Sequence, residues 1–319
     1  MSRVKLLLCL STTVAIAGAQ APPQLVTAPR IDFDNIEIRT TRLSDDFFTL
    51  DGQGGRISVL TGPDGVFMVD TQFAPLTEKI VAAIRQVTDQ PIRFVVDSHV
   101  HPDHTGGNEN FAARGALIFS RDQLRCRLIH PAPGPDGKAP PSAPTKALPV
   151  VTYDGPVTLH INGEDVRLIP IRAAHTDGDT LVRFPKHDAL AVGDYFRSVQ
   201  YPFVDVFNGG TLDGVLAALA ETIALAGPNT RIIPGHGPIV DRNAVIAQRE
   251  LVVSMRDRML PLVRKGLTLD QVLAEKLTAD TDASIPDGKE TSERFVRWMY
   301  AELTHPPRTT CKGGVDRDG

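Results

Sequence analysis

Ser98-His99-Val100-His101-Pro102-Asp103-His104-Thr105-Gly106-Gly107-Asn108 is the stretch from which the rest of this chain is best read. It follows Ile92-Arg93-Phe94-Val95-Val96, whose apolar composition and length predict a buried strand. Just beyond that strand, His99, His101, Asp103 and His104 bring three imidazoles and a carboxylate close together, with Pro102 among them and Gly106-Gly107 behind. Punctuated in this way, the segment is expected to be neither regular helix nor strand. His99 and His101 alternate around Val100, so an extended backbone points both the same way. After the turn at Pro102, Asp103 and His104 can face a second point nearby. Imidazole and carboxylate ligate zinc-class ions at about 2.0–2.2 Å. A lone histidine at a strand end is more often a hydrogen-bonded surface or core residue. Four donors at this density predict a metal site with room for two ions.

The run His99-Val100-His101-Pro102-Asp103-His104 behind an apolar strand resembles the signature of the metallo-β-lactamase superfamily. Thr105-Gly106-Gly107-Asn108 is similar to that family's continuation. The resemblance covers most of residues 36–240. It implies an α/β fold, an αββα sandwich of two packed sheets with outer helices and the metal site at one edge. Alternating strand and helix signals also suggest a single α/β domain with ligands at strand ends.

The resemblance further implies three more ligands, each beyond an apolar strand. They are His175 in Ala174-His175-Thr176-Asp177-Gly178, Asp194 in the Gly193-Asp194 pair, and His236 in Pro234-Gly235-His236-Gly237. The implied set places His99, His101 and His175 on one ion and Asp103, His104 and His236 on the second, with Asp194 between them. The expected cofactor is two Zn2+, with iron or manganese as alternatives. Two dications would bring the ionisation of a shared water toward neutral pH, giving a hydrolase that needs no side-chain nucleophile. Asp103 is the expected catalytic residue, orienting the water and returning a proton to the leaving group.

These motifs specify the superfamily far better than the substrate. A β-lactam, a lactone or a thioester is expected. An aspartate at 194 resembles the thioesterase and lactonase branches more than the lactamases, which carry a cysteine or a non-ligand near there. Two alternatives stay open: a mononuclear iron oxygenase acting on a thiol or persulfide, and a metal-retaining accessory protein without catalysis. A di-iron electron carrier is disfavoured, because His101 stands where those members have a glutamate. Tyr195, Phe196, Tyr201 and Phe203 are either pocket walls or core.

The whole chain sets further bounds. Its 319 residues carry a formal net charge of −4, which gives no reason to expect nucleic acid as a partner. The expected partner is a small molecule; the sequence leaves the oligomeric state open. Residues 1–19 read as a signal peptide, with Arg3 and Lys5 before an apolar run that is short for a membrane span. After cleavage no stable membrane insertion is expected, and the mature protein would be periplasmic or secreted. Residues 20–35 read as a flexible mature N-terminus, 36–305 as the hydrolase domain and 306–319 as a polar tail. Export would leave Cys126 and Cys311, which could pair in an oxidising compartment. Nothing in the sequence brings these two together, and the balance falls against a disulfide.

In chain order, Ile36 to Asp70 reads as short strands joined by turns, the last apolar and ending in an acid. A helix over 77–87 follows, then the 92–96 strand, a short helix around Phe111, and a strand over 116–119. Ser120 is expected to cap a helix running to Ile129. Residues 130–149 are rich in proline, alanine and glycine and read as a mobile surface loop; the resemblance puts it on one flank of the site. Asn162-Gly163 predicts a hairpin between 157–161 and 166–171. Helices are expected over 243–263, 269–276 and 292–303. His130, His160, His187 and His305 have no ligand-like setting.

Overall fold

The computed structural model describes residues 31–134, 137–304 and 311. The signal segment, most of the N-terminal stretch, His305 and the tail apart from Cys311 lie outside the described residues. Everything below concerns the unit that begins at Phe33.

Phe47 and Phe48 show how the layers arise. Neighbouring residues on a strand point to opposite faces, and here both faces are apolar. Phe47 joins a core with Phe67, Phe119, Leu168, Val182 and Phe184, whereas Phe48 packs with Met68, Ile80, Ile84 and Phe111. A sheet buried on both sides needs a second sheet on one face and helices on the other. The first sheet has seven strands in sequence order, β1 (Arg39–Arg42), β2 (Phe47–Asp51), β3 (Ile57–Leu60), β4 (Val66–Val69), β5 (Ile92–Val96), β6 (Leu117–Arg121) and β7 (Val151–Tyr153). Pairing is antiparallel from β1 to β4 and parallel from β4 to β7. Its outer face carries α1 (Thr77–Arg85); α2 (Pro102–Thr105) and α3 (Asn108–Ala112) lie in the β5–β6 crossover and α4 (Asp122–Ile129) follows β6.

The second sheet runs β12-β11-β10-β9-β8, from β8 (Val157–Ile161), β9 (Glu164–Pro170), β10 (Thr180–Phe184), β11 (Ala189–Gly193) and β12 (Arg231–Pro234). The β8–β9 hairpin turns at Asn162-Gly163, both at positive φ, as an Asn-Gly turn of this length requires. Leu181, Leu190, Val192 and Ile232 face a third core with α5 (Leu212–Leu225), α6 (Arg242–Arg264) and α8 (Gly288–Thr304); α7 (Leu269–Ala274) adds Val272. Two sheets with helices outside both are the expected αββα sandwich. No helix among the described residues is long and apolar enough to cross a membrane.

Several expectations need correction. Pro102 opens one turn of helix instead of an irregular segment, because proline suits the first helical position. Arg121, not Ser120, precedes α4; the Ser120 hydroxyl donates to Arg121 O, and no side chain caps that helix. Residues 33–36 are held in place, with Lys79 Nζ donating to the carbonyls of Phe33, Asp34 and Ile36. Helix α5 was not expected at all. Its N-cap Thr211 accepts from Gly214 N, and its buried Leu212, Val215, Leu216 and Leu219 lie at helical spacing. Cys126 and Cys311 are disulfide-bonded, with Cα atoms 6.0 Å apart. The sequence pointed the other way because 185 residues separate them.

Candidate metal centre

The seven expected residues come to one rim of the sandwich. His99, His101, Asp103 and His104 follow β5; His175 precedes β10; Asp194 follows β11; His236 follows β12. The strand ends differ in sequence but meet in space because β11 and β12 pair in parallel and share an end. Room for the centre is kept by glycine. A Cβ at Gly235 would run into the Asp194 carboxylate and the His104 ring, and one at Gly55 would strike the His104 ring.

The inward-facing atoms form two groups. His101 Nδ1 lies 3.2 Å from His99 Nε2 and 3.0 Å from His175 Nε2. His104 Nε2 lies 3.4 Å from His236 Nε2, and Asp103 Oδ2 is 3.1 Å from His236 Nε2. Tetrahedral ligation at about 2.1 Å puts donor atoms about 3.4 Å apart, close to these spacings. Asp194 stands between the groups, with Oδ2 3.3 Å from His236 Nε2 and 3.9 Å from His175 Nε2. Its Oδ1 is buried, lies 3.6 Å from His104 Nε2 and has no hydrogen-bond partner among the described residues. A buried carboxylate oxygen that accepts no hydrogen bond, set between two histidine groups, is a costly arrangement that a cation would complete. The donor set therefore fits two metal ions.

The outward-facing nitrogens are held by groups that the sequence did not single out. His101 Nε2 donates to Asp205 Oδ2 at 2.8 Å, and His175 Nδ1 donates to Phe203 O at 2.7 Å. His104 Nδ1 is 2.7 Å from Asp70 Oδ2, and Asp70 also accepts from Ser98 N and Oγ. Such partners fix the tautomer and ring orientation of ligating histidines. Asp70 is an acid noted at the end of an apolar strand but given no role. Asp205 lies 104 residues from His101 and had no local signal.

Electrostatics follow the burial. Burial, then the neighbouring His104, holds His99 well below the usual imidazole range; burial and His101 lower His175 to about 3. Both are thus neutral, with lone pairs available. Burial also opposes charge on His104, but Asp70, Asp194 and Asp103 outweigh it and raise its pKa to about 10 in the metal-free chain. Burial likewise opposes the Asp194 and Asp103 carboxylates, yet nearby histidines, with Arg197 beside Asp194, keep both below the usual range.

Of the four aromatics, Tyr195, Phe196 and Tyr201 are buried core, whereas Phe203 is part-exposed with its ring 5.6 Å from that of His175. The 130–149 loop does flank the site. With Val100, His101 and Leu128 it bounds a cavity of about 270 Å³, to which it contributes Pro131, Pro141 and Pro144. His187 is bonded to Glu164 and Asp46, and His160 pairs with Asp165 at the surface, so neither joins the centre.

The sequence model of the metallo-beta-lactamase superfamily matches residues 50–236, a span holding every ligand position above. The chain belongs to that superfamily. This member is 34% identical over 296 residues to a linear primary-alkylsulfatase from Pseudomonas sp. (strain ATCC 19151), covering 80% of this chain and 54% of the other. It thus spans about half the length of that relative. It is 24% identical over 303 residues to the 2,4-dinitroanisole O-demethylase subunit alpha of Nocardioides sp. (strain JS1661), covering 91% and 81%. In fold it is similar to the sec-alkylsulfatase Pisa1 from Pseudomonas sp., with TM-score 0.64 and 17% identity over 83% of this chain and 50% of that one. A metallo-beta-lactamase from Pontibacter korlensis gives 0.57 and 19%, covering 68% and 99%. Members of the superfamily are generally metal-dependent hydrolases.

Proposed function

We propose that this chain is a dinuclear zinc hydrolase that opens an ester-type bond of a small molecule, working outside the cytoplasm. The observation that carries the reading is the buried Asp194 carboxylate between two histidine groups, one oxygen of which accepts no hydrogen bond among the described residues. His99, His101 and His175 would hold one ion, Asp103, His104 and His236 the other, with Asp194 shared. Bound there, the pair would supply a Lewis acid for the substrate oxygen and a water that ionises near neutral pH.

The chain's own residues then divide the work. Asp103 has a side chain 24% exposed against 4% for Asp194, so Asp103 is the carboxylate able to meet water and a leaving group. It orients the attacking water and passes on its proton. Asp70, Asp205 and the Phe203 carbonyl keep the imidazoles aimed. The cavity beside His101 is walled mainly by prolines and alanines, with Val100 and Leu128, which supports a substrate with an apolar body. The named activities of the relatives add a sulfate ester to the lactones, thioesters and β-lactams expected from the sequence. The Cys126–Cys311 bond supports an oxidising compartment, in keeping with the signal-like first 19 residues.

A screen with an alkyl sulfate, an acyl lactone, a thioester and a chromogenic cephalosporin tests the reading on the zinc-loaded protein. Turnover of at least one, lost on chelation and restored by zinc, is expected. Stoichiometric metal with no turnover across the panel would favour a non-catalytic role, and oxygen uptake with iron would favour an oxygenase.

A further inference from the structure

A second cleft, separate from the cavity beside His101, lies between α6, the segment after β11 and the segment that leads into α8. Its volume is about 580 Å³, against about 270 Å³ beside His101, and the two share no lining residue. None of the seven metal-site residues borders it. Helix α6 supplies one wall through Ala244, Ala247, Gln248 and Leu251, which fall at i, i+3, i+4 and i+7 on one helical face. The two alanines leave the room that larger side chains would fill. Across from them, Phe196 and Ile285 keep the opposite walls apolar.

The walls are tied to one another by the chain itself. Gln200 N donates to Pro286 O, and Ser198 Oγ donates to Pro238 O at 2.6 Å. The Tyr201 hydroxyl lies 2.6 Å from Thr281 Oγ1 and donates to Asp282 Oδ1 at 2.9 Å. A cleft shaped by its own hydrogen bonds needs little ordering when a ligand enters, which favours binding. One polar group on the lining is unmatched. Gln248 is only 8% exposed, and its Nε2 has no hydrogen-bond acceptor among the described residues. Buried amide N–H groups are nearly always paired in native proteins. An apolar wall with one or two placed polar groups is the composition of a small-molecule pocket, and the volume falls in the usual range. The charges nearby do not call for an ion. Arg197 is already paired with Asp194, Nη2 to Oδ2 at 3.2 Å, and the exposed Glu250 on the rim disfavours an anion.

From this geometry we infer that the cleft along α6 is a second ligand site, which takes a neutral, largely apolar small molecule bearing a carbonyl-type acceptor for Gln248 Nε2. The site goes beyond the hydrolase reading and does not depend on it, because no metal-site residue takes part. Its occupant is held by burial of an apolar body against α6, and the single hydrogen bond to Gln248 sets which end enters.

The test uses 2-octanone, which has one acceptor, an apolar chain and no hydrolysable bond. Titration calorimetry would be run on the metal-loaded full chain and on Q248L, A247W and A143W at equal metal content. The wild type should bind the ketone. Q248L should bind it about three- to tenfold more weakly, the size of one neutral hydrogen bond. A247W fills the cleft and should lose binding, whereas A143W intrudes on the cavity beside His101 and should keep it. Ala247 is exposed, so its replacement leaves the core untouched and the variant should fold. Binding should also survive chelation of the metal. No binding by the wild type, equal binding by wild type and Q248L, or loss in A143W but not in A247W would each overturn the second site. Loss on chelation would place the ketone at the metal centre and overturn it as well.

Discussion

His104 and His187 are both buried imidazoles beside carboxylates, yet they are finished in different ways. His187 lies in the β10–β11 turn, at the far end of the strands whose other ends carry His175 and Asp194. Its Nδ1 is 2.7 Å from Glu164 Oε2 and its Nε2 is 2.9 Å from Asp46 Oδ1, so both nitrogens are used inside the chain. His104 uses only Nδ1, toward Asp70; its Nε2 faces another histidine nitrogen and two carboxylates at 3.4–3.6 Å. Without metal, the carboxylates hold His104 protonated against burial; with the imidazoles neutral, as ligation requires, all four groups offer lone pairs and cannot satisfy one another. The His187 cluster therefore closes the fold, whereas the His104 cluster offers donors that a cation would complete. Counting what each nitrogen faces separates a structural histidine from a ligand more sharply than burial does, since both rings are buried.

The largest difference should appear on replacing a ligand. His101→Ala is expected to abolish stoichiometric metal and lower turnover by about 1,000-fold or more, several kcal/mol of transition-state stabilisation. Full activity in that variant, measured by steady-state kinetics with elemental analysis, would break the ligand assignment. Cys126→Ser acts on the structural side. Opening a bond that spans 185 residues should cost about 2–4 kcal/mol in denaturant unfolding while metal content stays unchanged. Loss of metal instead would mean that the disulfide shapes the His175 turn, which it approaches through Cys311 N and Asp177 Oδ2 at 3.5 Å.

Asp70→Asn sharpens the boundary between the two classes. It keeps the shape but weakens the hold on His104, and should reduce metal affinity by about 10–100-fold. An unchanged competition titration against a chelator would show that Ser98 and the surrounding packing alone orient the ring. The smallest effect on chemistry should come from His187→Ala. It strands Glu164, whose side chain is 1% exposed, and should cost on the order of 1–3 kcal/mol in stability. Turnover per folded molecule should be unaltered, and a fall in metal content would contradict the contrast drawn above.

Of the candidate ligands that share one rim, His99, His101, Asp103 and His104 stood out as a dense local cluster behind β5, whereas His175, Asp194 and His236 were reached only through the family resemblance. The sandwich was legible from local patterns too, through strands such as Ile92–Val96 and the Asn162-Gly163 turn. What escaped the sequence is contact between distant segments. Asp205 reaches His101 across 104 residues and Cys126 reaches Cys311 across 185. Neither spacing has a local signature. Helix α5 is a different failure: its Thr211 cap and leucine spacing were present, but the stretch is apolar on most faces and lacks the clear stripe that marks a surface helix. Tyr195 and Tyr201 looked like possible pocket walls and proved to be core, because an aromatic after a strand suits either place.

The most direct test of the account is the number of metal ions bound per chain in the purified protein, set against the same count for His236→Ala. Two zinc equivalents in the wild type, falling to one in His236→Ala with the His99, His101 and His175 group still loaded, is the predicted result. A single equivalent in both proteins, unchanged by excess zinc, would contradict a centre bridged by Asp194.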